Sequence, residues 1–218
     1  MLNGERFALV GVDRDGTIIA DRGYLGRSES WRDEIQFLDG AISGLRRLKG
    51  LGFKVPVISN QAGVARGYFN IERVEEIHEH LDTLLKQKGV NLDGFYYCPS
   101  VDKDYAQKKG IPLDSQWVEE TEMRKPGIGM LKTAARRLCI PFNYLMGHIY
   151  FIGDKVSDVE TGLNANGIGI FLRNGKNEEE FAKLQMSKSA ELRKQQVYAV
   201  ANLKEAADIV SHRENNTF

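Results

Sequence analysis

The stretch FALVGVDRDGT at residues 7–17 decides the fold, because an apolar run ends abruptly at acidic residues and a glycine. Residues 7–12 are brief and the turn-forming Gly16 follows them, so they predict a short buried strand that opens into a loop. Asp13 and Asp15 stand two positions apart at that opening, where both carboxylates can face one pocket. Because like charges repel, the pair predicts either a cation between them or a proton held by one of them.

Further short apolar runs indicate more strands, and segments with helical spacing separate them. Strands are predicted at residues 55–59, 94–98, 148–153, 167–172 and 197–200, and helices at 41–49, 71–88, 129–139, 159–166, 178–196 and 203–210. This alternation predicts an α/β fold with a doubly wound, Rossmann-like parallel sheet. Ligands of such sheets bind beyond the carboxyl ends of the strands, where the strand order reverses. Asp13, Ser59 and Asp154 all stand at predicted carboxyl ends, which indicates one shared site.

The length and composition favour a small enzyme-sized domain without a membrane span. The chain has 218 residues with 30 basic and 30 acidic side chains, and this balance does not favour general binding to nucleic acid or membranes. Two cysteines and the lack of a long apolar run predict a cytoplasmic protein. We expect one domain over residues 1–218, with a flap or loop insert at about 100–124 and a frayed tail after residue 210.

Polar and basic residues at three further places fit the binding of a phosphate. Ser59 and Asn60 follow a predicted strand, where a hydroxyl and backbone N–H groups suit phosphate oxygens, and Arg66 follows in a small-residue loop. Lys125 offers the fixed cation that phosphoryl transfer requires, and Arg124 can grip a second anionic group. Taken singly, these residues also fit an ordinary polar loop and an exposed basic pair.

Two carboxylates in the segment GDKVSD, residues 153–158, fit a metal site. Magnesium prefers a few carboxylates together with water and substrate oxygens. Asp154 is placed as a ligand and Asp158 as a support behind it. A helix N-terminus, whose dipole favours acidic residues, explains the same two positions equally well.

The order of these motifs along the chain resembles the haloacid dehalogenase superfamily of phosphatases. The segments that carry the resemblance are FALVGVDRDGT, VPVISNQAG, RKPGIGM and FIGDKVSD. Within that superfamily, residues 7 to about 176 resemble the D-glycero-D-manno-heptose 1,7-bisphosphate 7-phosphatase group, of which the histidinol-phosphate phosphatases are close relatives. The resemblance implies a Mg²⁺-dependent hydrolase of phosphate monoesters, which forms an aspartyl-phosphate and acts on a small phosphorylated metabolite such as a sugar bisphosphate.

The resemblance also implies roles for individual residues. Asp13 would be the nucleophile and Asp15 the general acid and base, while Ser59 and Lys125 would stabilise the phosphate. Magnesium would be held by Asp13, Asp154 and the backbone carbonyl of Asp15, with Asp158 in support. Expected substrate contacts are Thr17, through its hydroxyl, Asn60, Arg66 and Arg124.

The chain departs from this group at a structural zinc loop that many members carry. Cys98 remains, but Ser100, Thr121 and Met123 stand where the other three zinc ligands belong. One ligand cannot hold tetrahedral zinc, so we expect no structural zinc. Because the insert at 100–124 is expected to border the pocket, this departure leaves a heptose substrate open.

The spacing of the motifs leaves no room for a full cap domain, and an open site admits other substrates. One alternative is a 3′-phosphatase that acts on nucleic-acid ends, which the absence of a basic surplus does not favour. Another is a catalytically silent binding module. We further expect a monomer, and we expect His78 and His80 to be solvated on their helix.

Overall fold

The computed structural model describes residues 8–187 and 194–216, which build a six-stranded sheet with every neighbouring pair parallel. The strands are β1 (Leu9–Val12), β2 (Val57–Asn60), β3 (Phe95–Cys98), β4 (Ile149–Gly153), β5 (Ile168–Leu172) and β6 (Val197–Val200). Their order across the sheet is β3-β2-β1-β4-β5-β6. The predicted α/β, doubly wound class is therefore confirmed.

Seven α-helices of the described residues connect and cover these strands. They are α1 (Ala41–Gly50), α2 (Ile71–Gln87), α3 (Lys103–Lys109), α4 (Gly129–Arg137), α5 (Val156–Asn164), α6 (Glu178–Met186) and α7 (Leu203–Asn216). Short 3₁₀ turns lie at Phe142–Leu145 and Lys194–Gln196. Every helix within residues 8–187 and 194–216 is too short or too polar to cross a bilayer.

The central strand β1 is buried on both faces, as a parallel strand between two helical layers must be. Because side chains alternate along a strand, Val10 and Val12 pack into the core under α1 and α7, while Leu9 packs into a second core with α4. Gly11 points to the second side, where an added Cβ would come within 2.8 Å of the Phe151 ring. A continuous apolar run is thus what this position in the sheet requires.

The strand order reverses at β1, which pairs with β2 on one side and β4 on the other. Val12 is in register with Val57 of β2 and with Ile152 of β4. The carboxyl ends of these three strands therefore meet at one edge, the position where such sheets bind ligands.

The insert at 100–124, predicted as irregular, contains the short helix α3. Asp102 caps it by accepting a hydrogen bond from the backbone N–H of Tyr105 at 2.7 Å, and Gly110 ends it with φ +66°. A parallel bridge between Val101 and Val118 closes the insert on itself. Its apolar side chains pack with those of the loop after β2, forming a small cluster of Ala62, Ala65, Val101, Ala106 and Ile111, with Tyr105, Trp117 and Val118 against it.

The prediction of a frayed tail after residue 210 was wrong up to residue 216, because α7 continues through this segment. Glu214 is 2% exposed and accepts hydrogen bonds from the Tyr150 hydroxyl at 2.6 Å and, at 2.9 Å, from Nδ1 of His148. These contacts fix the helix end to β4. Residues 217–218, the predicted strand residue Phe7 and residues 188–193 of the predicted helix 178–196 lie outside the described residues. The single-domain organisation stays a prediction.

Candidate active site

Three aspartates meet at the carboxyl edge of the sheet. Asp13 follows β1, Asp154 follows β4, and Asp158 lies in the first turn of α5; their exposures are 3%, 5% and 0%. One carboxylate oxygen from each lies within 4.8 Å of the others. In the part of the chain that the structure describes, no other group of three or more His, Cys, Asp or Glu side chains is this close. Asp158, expected only as a support, thus lies among the three.

Lys125 joins two of these carboxylates. Its Nζ lies 2.7 Å from Oδ1 of Asp13 and 2.6 Å from Oδ1 of Asp158, and it also donates to the backbone carbonyl of Ile58 at 3.0 Å. Burial alone would lower the pKa of this ammonium group, but the charges of Asp13 and Asp158 outweigh burial and raise it. The lysine is therefore held as a fixed cation next to Asp13.

Lys155 supplies a second ammonium group that we did not predict from the sequence. Partial desolvation opposes its charge, since the side chain is 45% exposed, yet the negative charges of Asp13 and Asp154 raise its pKa. Its Nζ contacts Asp21 at 3.3 Å, in the loop after β1. The position of Lys155 directly after Asp154 was the sequence signal for this cation.

The three aspartates outnumber the ammonium groups beside them, which are the buried Lys125 and the half-exposed Lys155. If all three carboxylates were ionised, one negative charge would remain without a partner. Burial, together with the neighbouring carboxylates, raises the pKa of Asp13 to about 6 and that of Asp154 to about 8. The Oδ1 atom of Asp154 is buried without a hydrogen-bond partner. Buried carboxylate oxygens in this state fit a hard divalent cation such as Mg²⁺.

The loop after β1 fits tightly against Asp154. Gly16 has φ +81°, and a Cβ there would lie 2.1 Å from Oδ2 of Asp154, so only glycine fits. Asn174 donates to the Gly16 carbonyl at 3.1 Å, and Asn177 donates to the backbone carbonyl of Asp154 at 3.0 Å. Thr17 is buried with its Oγ1 unpaired among the described residues. The two asparagines carry no motif, and only the fold reveals them.

Asp15 faces a different set of partners from Asp13. Arg14 donates through Nε to its Oδ1 at 3.2 Å and through Nη2 to its Oδ2 at 2.9 Å. Burial raises the pKa of Asp15, but the charge and hydrogen bonds of Arg14, with a hydrogen bond from Gln61, outweigh burial and lower it. The two neighbouring aspartates therefore differ, because Asp15 is stabilised as a carboxylate while Asp13 is not.

Residues at the end of β2 and in the loop after it form hydrogen bonds with Asp15 and with the backbone of Lys125. Gln61 Nε2 donates to Ser59 Oγ at 2.7 Å and to Asp15 Oδ2 at 3.1 Å, so its amide bridges the two. Asn60 donates to the backbone carbonyl of Lys125 at 3.1 Å and accepts from its N–H at 3.0 Å. This paired bond fixes the backbone that carries the lysine, a use of Asn60 that we did not predict. Its contact with substrate stays a prediction.

The two predicted arginines lie at a rim formed by three loops. Arg66 donates to the hydroxyl of Tyr24 at 2.7 Å. Arg124 donates to the carbonyl of Ser100 at 3.2 Å, and its guanidinium lies 5.0 Å from the centre of the Tyr105 ring. The hydroxyls of Tyr24 and Tyr105 are 3.3 Å apart and so link the loop after β1 to the insert. Both guanidinium groups are oriented by aromatic neighbours, which the sequence did not indicate.

Cys98, Ser100, Thr121 and Met123, the positions compared with a zinc loop in the sequence, form hydrogen bonds among themselves and with Glu119. Cys98 donates to the carbonyl of Ser100 at 3.7 Å, and the Ser100 hydroxyl donates to Glu119 at 2.7 Å. Thr121 Oγ1 accepts from the N–H of Met123 at 3.1 Å. The insert is thus packed by the apolar cluster and these bonds, while the absence of zinc stays a prediction.

His78 is not solvated, so that prediction was wrong. It is 6% exposed and stacks on Phe95, with its ring centre 5.1 Å from that ring. Its Nε2 lies 3.1 Å from Nη1 of Arg14. Its partner is 64 residues away along the chain, a pairing that helical periodicity cannot indicate.

Comparison with known proteins identifies phosphatases of two substrate classes. The model of the family described as Polynucleotide kinase 3 phosphatase matches residues 8–198. The D-glycero-β-D-manno-heptose-1,7-bisphosphate 7-phosphatase of Haemophilus influenzae is 36% identical over 167 residues, which are 76% of this chain and 81% of that protein. The enzyme of the same name from Yersinia pestis is 37% identical over 166 residues, 76% of this chain and 80% of that protein.

A solved structure shares the fold. It is the D,D-heptose 1,7-bisphosphate phosphatase of B. bronchiseptica, crystallised with magnesium and phosphate, with a TM-score of 0.71 and 23% identity over 94% of this chain and 98% of that one. The chain is therefore a phosphatase, and it belongs to the haloacid dehalogenase-like family that includes the heptose-bisphosphate 7-phosphatases.

Proposed function

We propose that this phosphatase hydrolyses a phosphate monoester of a small metabolite with Mg²⁺, through a phosphorylated Asp13. One observation carries the proposal: the carboxylate of Asp13 is bound to the Lys125 ammonium, 2.7 Å away, beside an unpaired buried oxygen of Asp154. A nucleophile, a fixed cation and a site that lacks positive charge are the parts that phosphoryl transfer needs.

The reaction proceeds in two steps. An Asp13 oxygen attacks phosphorus, the bond to the leaving oxygen breaks, and Asp15 gives its proton to that oxygen. Asp15, now a carboxylate, then takes a proton from water, whose oxygen attacks phosphorus and releases inorganic phosphate from Asp13. Because Arg14 favours the ionised form of Asp15 in the free protein, the first proton has to arrive with the substrate.

The other residues balance charge on the transferred group. Lys125 and the Ser59 hydroxyl would stabilise the phosphoryl oxygens, since both lie at the carboxyl edge where Asp13 is fixed. Asp13 and Asp154 would hold Mg²⁺, with the backbone carbonyl of Asp15 as a further ligand and Asp158 in support. When bound, Mg²⁺ neutralises the carboxylates and reduces their repulsion of an anionic substrate.

The substrate that we propose is a sugar bisphosphate of the heptose 1,7-bisphosphate type. The names of the sequence relatives support this class. The rim supports it as well, because Arg66 and Arg124 stand on loops next to Ser59 and Lys125 and can bind a second anionic group. Thr17 and Asn60 would complete the substrate contacts.

Trapping the phosphorylated enzyme tests the mechanism. The protein would be mixed with Mg²⁺ and a phosphate ester, quenched in acid, and digested for mass spectrometry of the peptide containing residues 8–22. We expect an added phosphoryl group on Asp13, and none in the variant Asp13→Asn. Turnover by the wild type with the label on another residue would contradict the proposal.

A panel of substrates tests the proposed class. Heptose 1,7-bisphosphate should be hydrolysed with the highest kcat/KM, above histidinol phosphate and a 3′-phosphorylated oligonucleotide. The description of the matched family favours the oligonucleotide as the second candidate. Preference for the oligonucleotide, weakened by added salt, would replace the sugar assignment. Size-exclusion chromatography of the same protein tests the predicted monomer.

A further inference from the structure

Arg14 is the largest charged side chain in the interior of the site, and in the two-step reaction it only favours the ionised form of Asp15. It is 1% exposed and stands between the two aspartates of the loop after β1. Its Nε and Nη2 grip both oxygens of Asp15, at 3.2 and 2.9 Å, in the forked geometry that a planar guanidinium allows. Lysine, a point charge, could not reproduce this two-point contact.

The far side of the guanidinium is held by His78 of α2. Nη1 of Arg14 lies 3.1 Å from Nε2 of His78. Since arginine only donates hydrogen bonds, Nε2 is the acceptor and the imidazole is neutral with its proton on Nδ1. Burial and the charge of Arg14 lower the pKa of His78 to about 3, in agreement with this form.

His78 is itself fixed by two rings of the edge strand β3. It stacks on Phe95 at 5.1 Å between ring centres and meets Tyr97 edge-on at 5.4 Å. A continuous line of contacts therefore runs from β3 through α2 to the guanidinium of Arg14. The position of Asp15 is thus tied, through Arg14, to α2 and β3.

Gln61 forms hydrogen bonds with both Arg14 and Asp15. Its Oε1 accepts from Nη2 of Arg14 at 3.0 Å, while its Nε2 donates to Oδ2 of Asp15 at 3.1 Å. Asp15 thus accepts three hydrogen bonds, two from Arg14 and one from Gln61. Rotation of its carboxyl group would break at least one of them.

We propose that Arg14, supported by His78, is a positioning residue that fixes the orientation of the Asp15 carboxyl group for proton transfer. This inference rests on the proposed role of Asp15 as general acid and base. Proton transfer requires its partners within hydrogen-bond reach, so a small rotation of Asp15 slows the step. The effect is largest where the leaving group most needs a proton.

Two substrates of similar shape separate this role from a purely structural one. Phenyl phosphate has a poor leaving group and p-nitrophenyl phosphate a good one, so only the first depends strongly on Asp15. In His78→Leu, which removes the acceptor of Arg14, we expect kcat/KM for phenyl phosphate to fall by about 10- to 100-fold. For p-nitrophenyl phosphate we expect a fall of no more than about threefold.

Two further variants of α2 complete the experiment. His78→Gln keeps an acceptor at the end of a side chain of similar reach, and it should restore most of the phenyl phosphate activity. His80→Leu lies on the same helix but contacts Trp31, with ring centres 5.6 Å apart, and it should leave the ratio of the two substrates unchanged. Equal losses for both substrates in His78→Leu, without recovery in His78→Gln, would overturn the inference.

Asp15→Asn, measured in parallel, distinguishes failure of the inference from failure of the proposed function. If Asp15→Asn loses phenyl phosphate activity selectively while His78→Leu does not, the role of Asp15 stands and the positioning by Arg14 falls. If Asp15→Asn affects both substrates alike, Asp15 is not the general acid and both proposals fall.

Discussion

The carboxyl edge of the sheet, where the grouped aspartates lie, is the catalytic edge of the molecule. It is stabilised by different interactions from those of the insert at 100–124. At the edge, side chains on the ends of β1 and β4 are held by buried ion pairs, such as that between Lys125 and Asp13 at 2.7 Å. The insert is held by an apolar cluster, one parallel bridge and contacts between arginines and tyrosines. Buried charges fix positions strictly, whereas apolar packing tolerates substitution. The catalytic edge is therefore suited to residues whose positions the reaction fixes. The insert can change in sequence and so alter which substrate binds.

The largest expected effect is the loss of the nucleophile at the edge. Asp13→Asn should lower turnover by about 10⁴-fold or more, because no carboxylate remains to attack phosphorus. The thermal midpoint should stay close to that of the wild type, since Asp158 still pairs with Lys125 at 2.6 Å. Steady-state kinetics and a thermal melt measure the two quantities. Turnover within tenfold of the wild type would sink the assignment.

The second effect concerns the pH dependence of stability without metal. The pKa of Asp154 rises to about 8, above its ordinary 3.8, so the folded protein binds its proton more tightly than the unfolded chain does. Stability should therefore fall as pH rises toward 8. Between pH about 6.5 and 8 we expect a loss of about 2 kcal/mol in the free energy of unfolding.

Asp154 gives the largest change in this pH window. Asp13, with a pKa of about 6, is largely ionised across it. His78 is neutral when folded, with a pKa of about 3, but is half charged in the unfolded chain at pH 6.5, so it adds a smaller change of opposite sign. Urea unfolding at several pH values measures the fall in stability. Added Mg²⁺ should reduce this fall, and Asp154→Asn should abolish it. A fall that persists in Asp154→Asn would assign the pH dependence to another group.

The third prediction concerns Arg124, at the rim formed by the loops beside the catalytic edge. Arg124→Ala should raise KM for a sugar bisphosphate about tenfold, since one charge-assisted contact with the second phosphate is lost. KM for p-nitrophenyl phosphate, which has no second phosphate, should stay within about twofold. Comparison of the two substrates in one preparation provides the control. An equal rise for both would place Arg124 in the catalytic edge instead.

The smallest effect tests how the insert is held. Ser100→Ala removes the hydrogen bond from its hydroxyl to Glu119, and we expect a loss of about 1 kcal/mol in the free energy of unfolding. Activity on p-nitrophenyl phosphate should be unchanged. Ser115→Ala is a matched control in the same insert, because its hydroxyl only accepts a 3.3 Å bond from the Trp117 N–H. A much larger loss in Ser100→Ala would show that the edge depends on the insert.

The edge could be predicted closely from the sequence, because its determinants are local. Each strand is a short apolar run; Asp13 and Asp154 directly follow such runs and Ser59 stands near the end of one, so the sequence predicts all three at one edge. Lys125 precedes α4 and follows no strand, and its role at the phosphate was implied by the family resemblance.

The parts that escaped prediction depend on contacts between distant segments. Glu214 reads as a residue of a polar tail, but the hydroxyl of Tyr150 and the ring of His148 bury it. His78 reads as one more polar residue on a surface helix until Arg14 is placed beside it. For α3 the signals were present, in the cap Asp102 and the terminal Gly110, although the polar composition of the segment concealed them.

The contact between Gly16 and Asp154 limits how this enzyme can be redesigned. The space that a methyl group would fill at residue 16 is occupied by the carboxylate of residue 154. The two positions therefore form one steric unit, although they stand 138 positions apart in the printed sequence. Combinatorial libraries that vary the loop after β1 should keep glycine there, because making room by shortening the side chain at 154 would remove the carboxylate proposed to hold Mg²⁺.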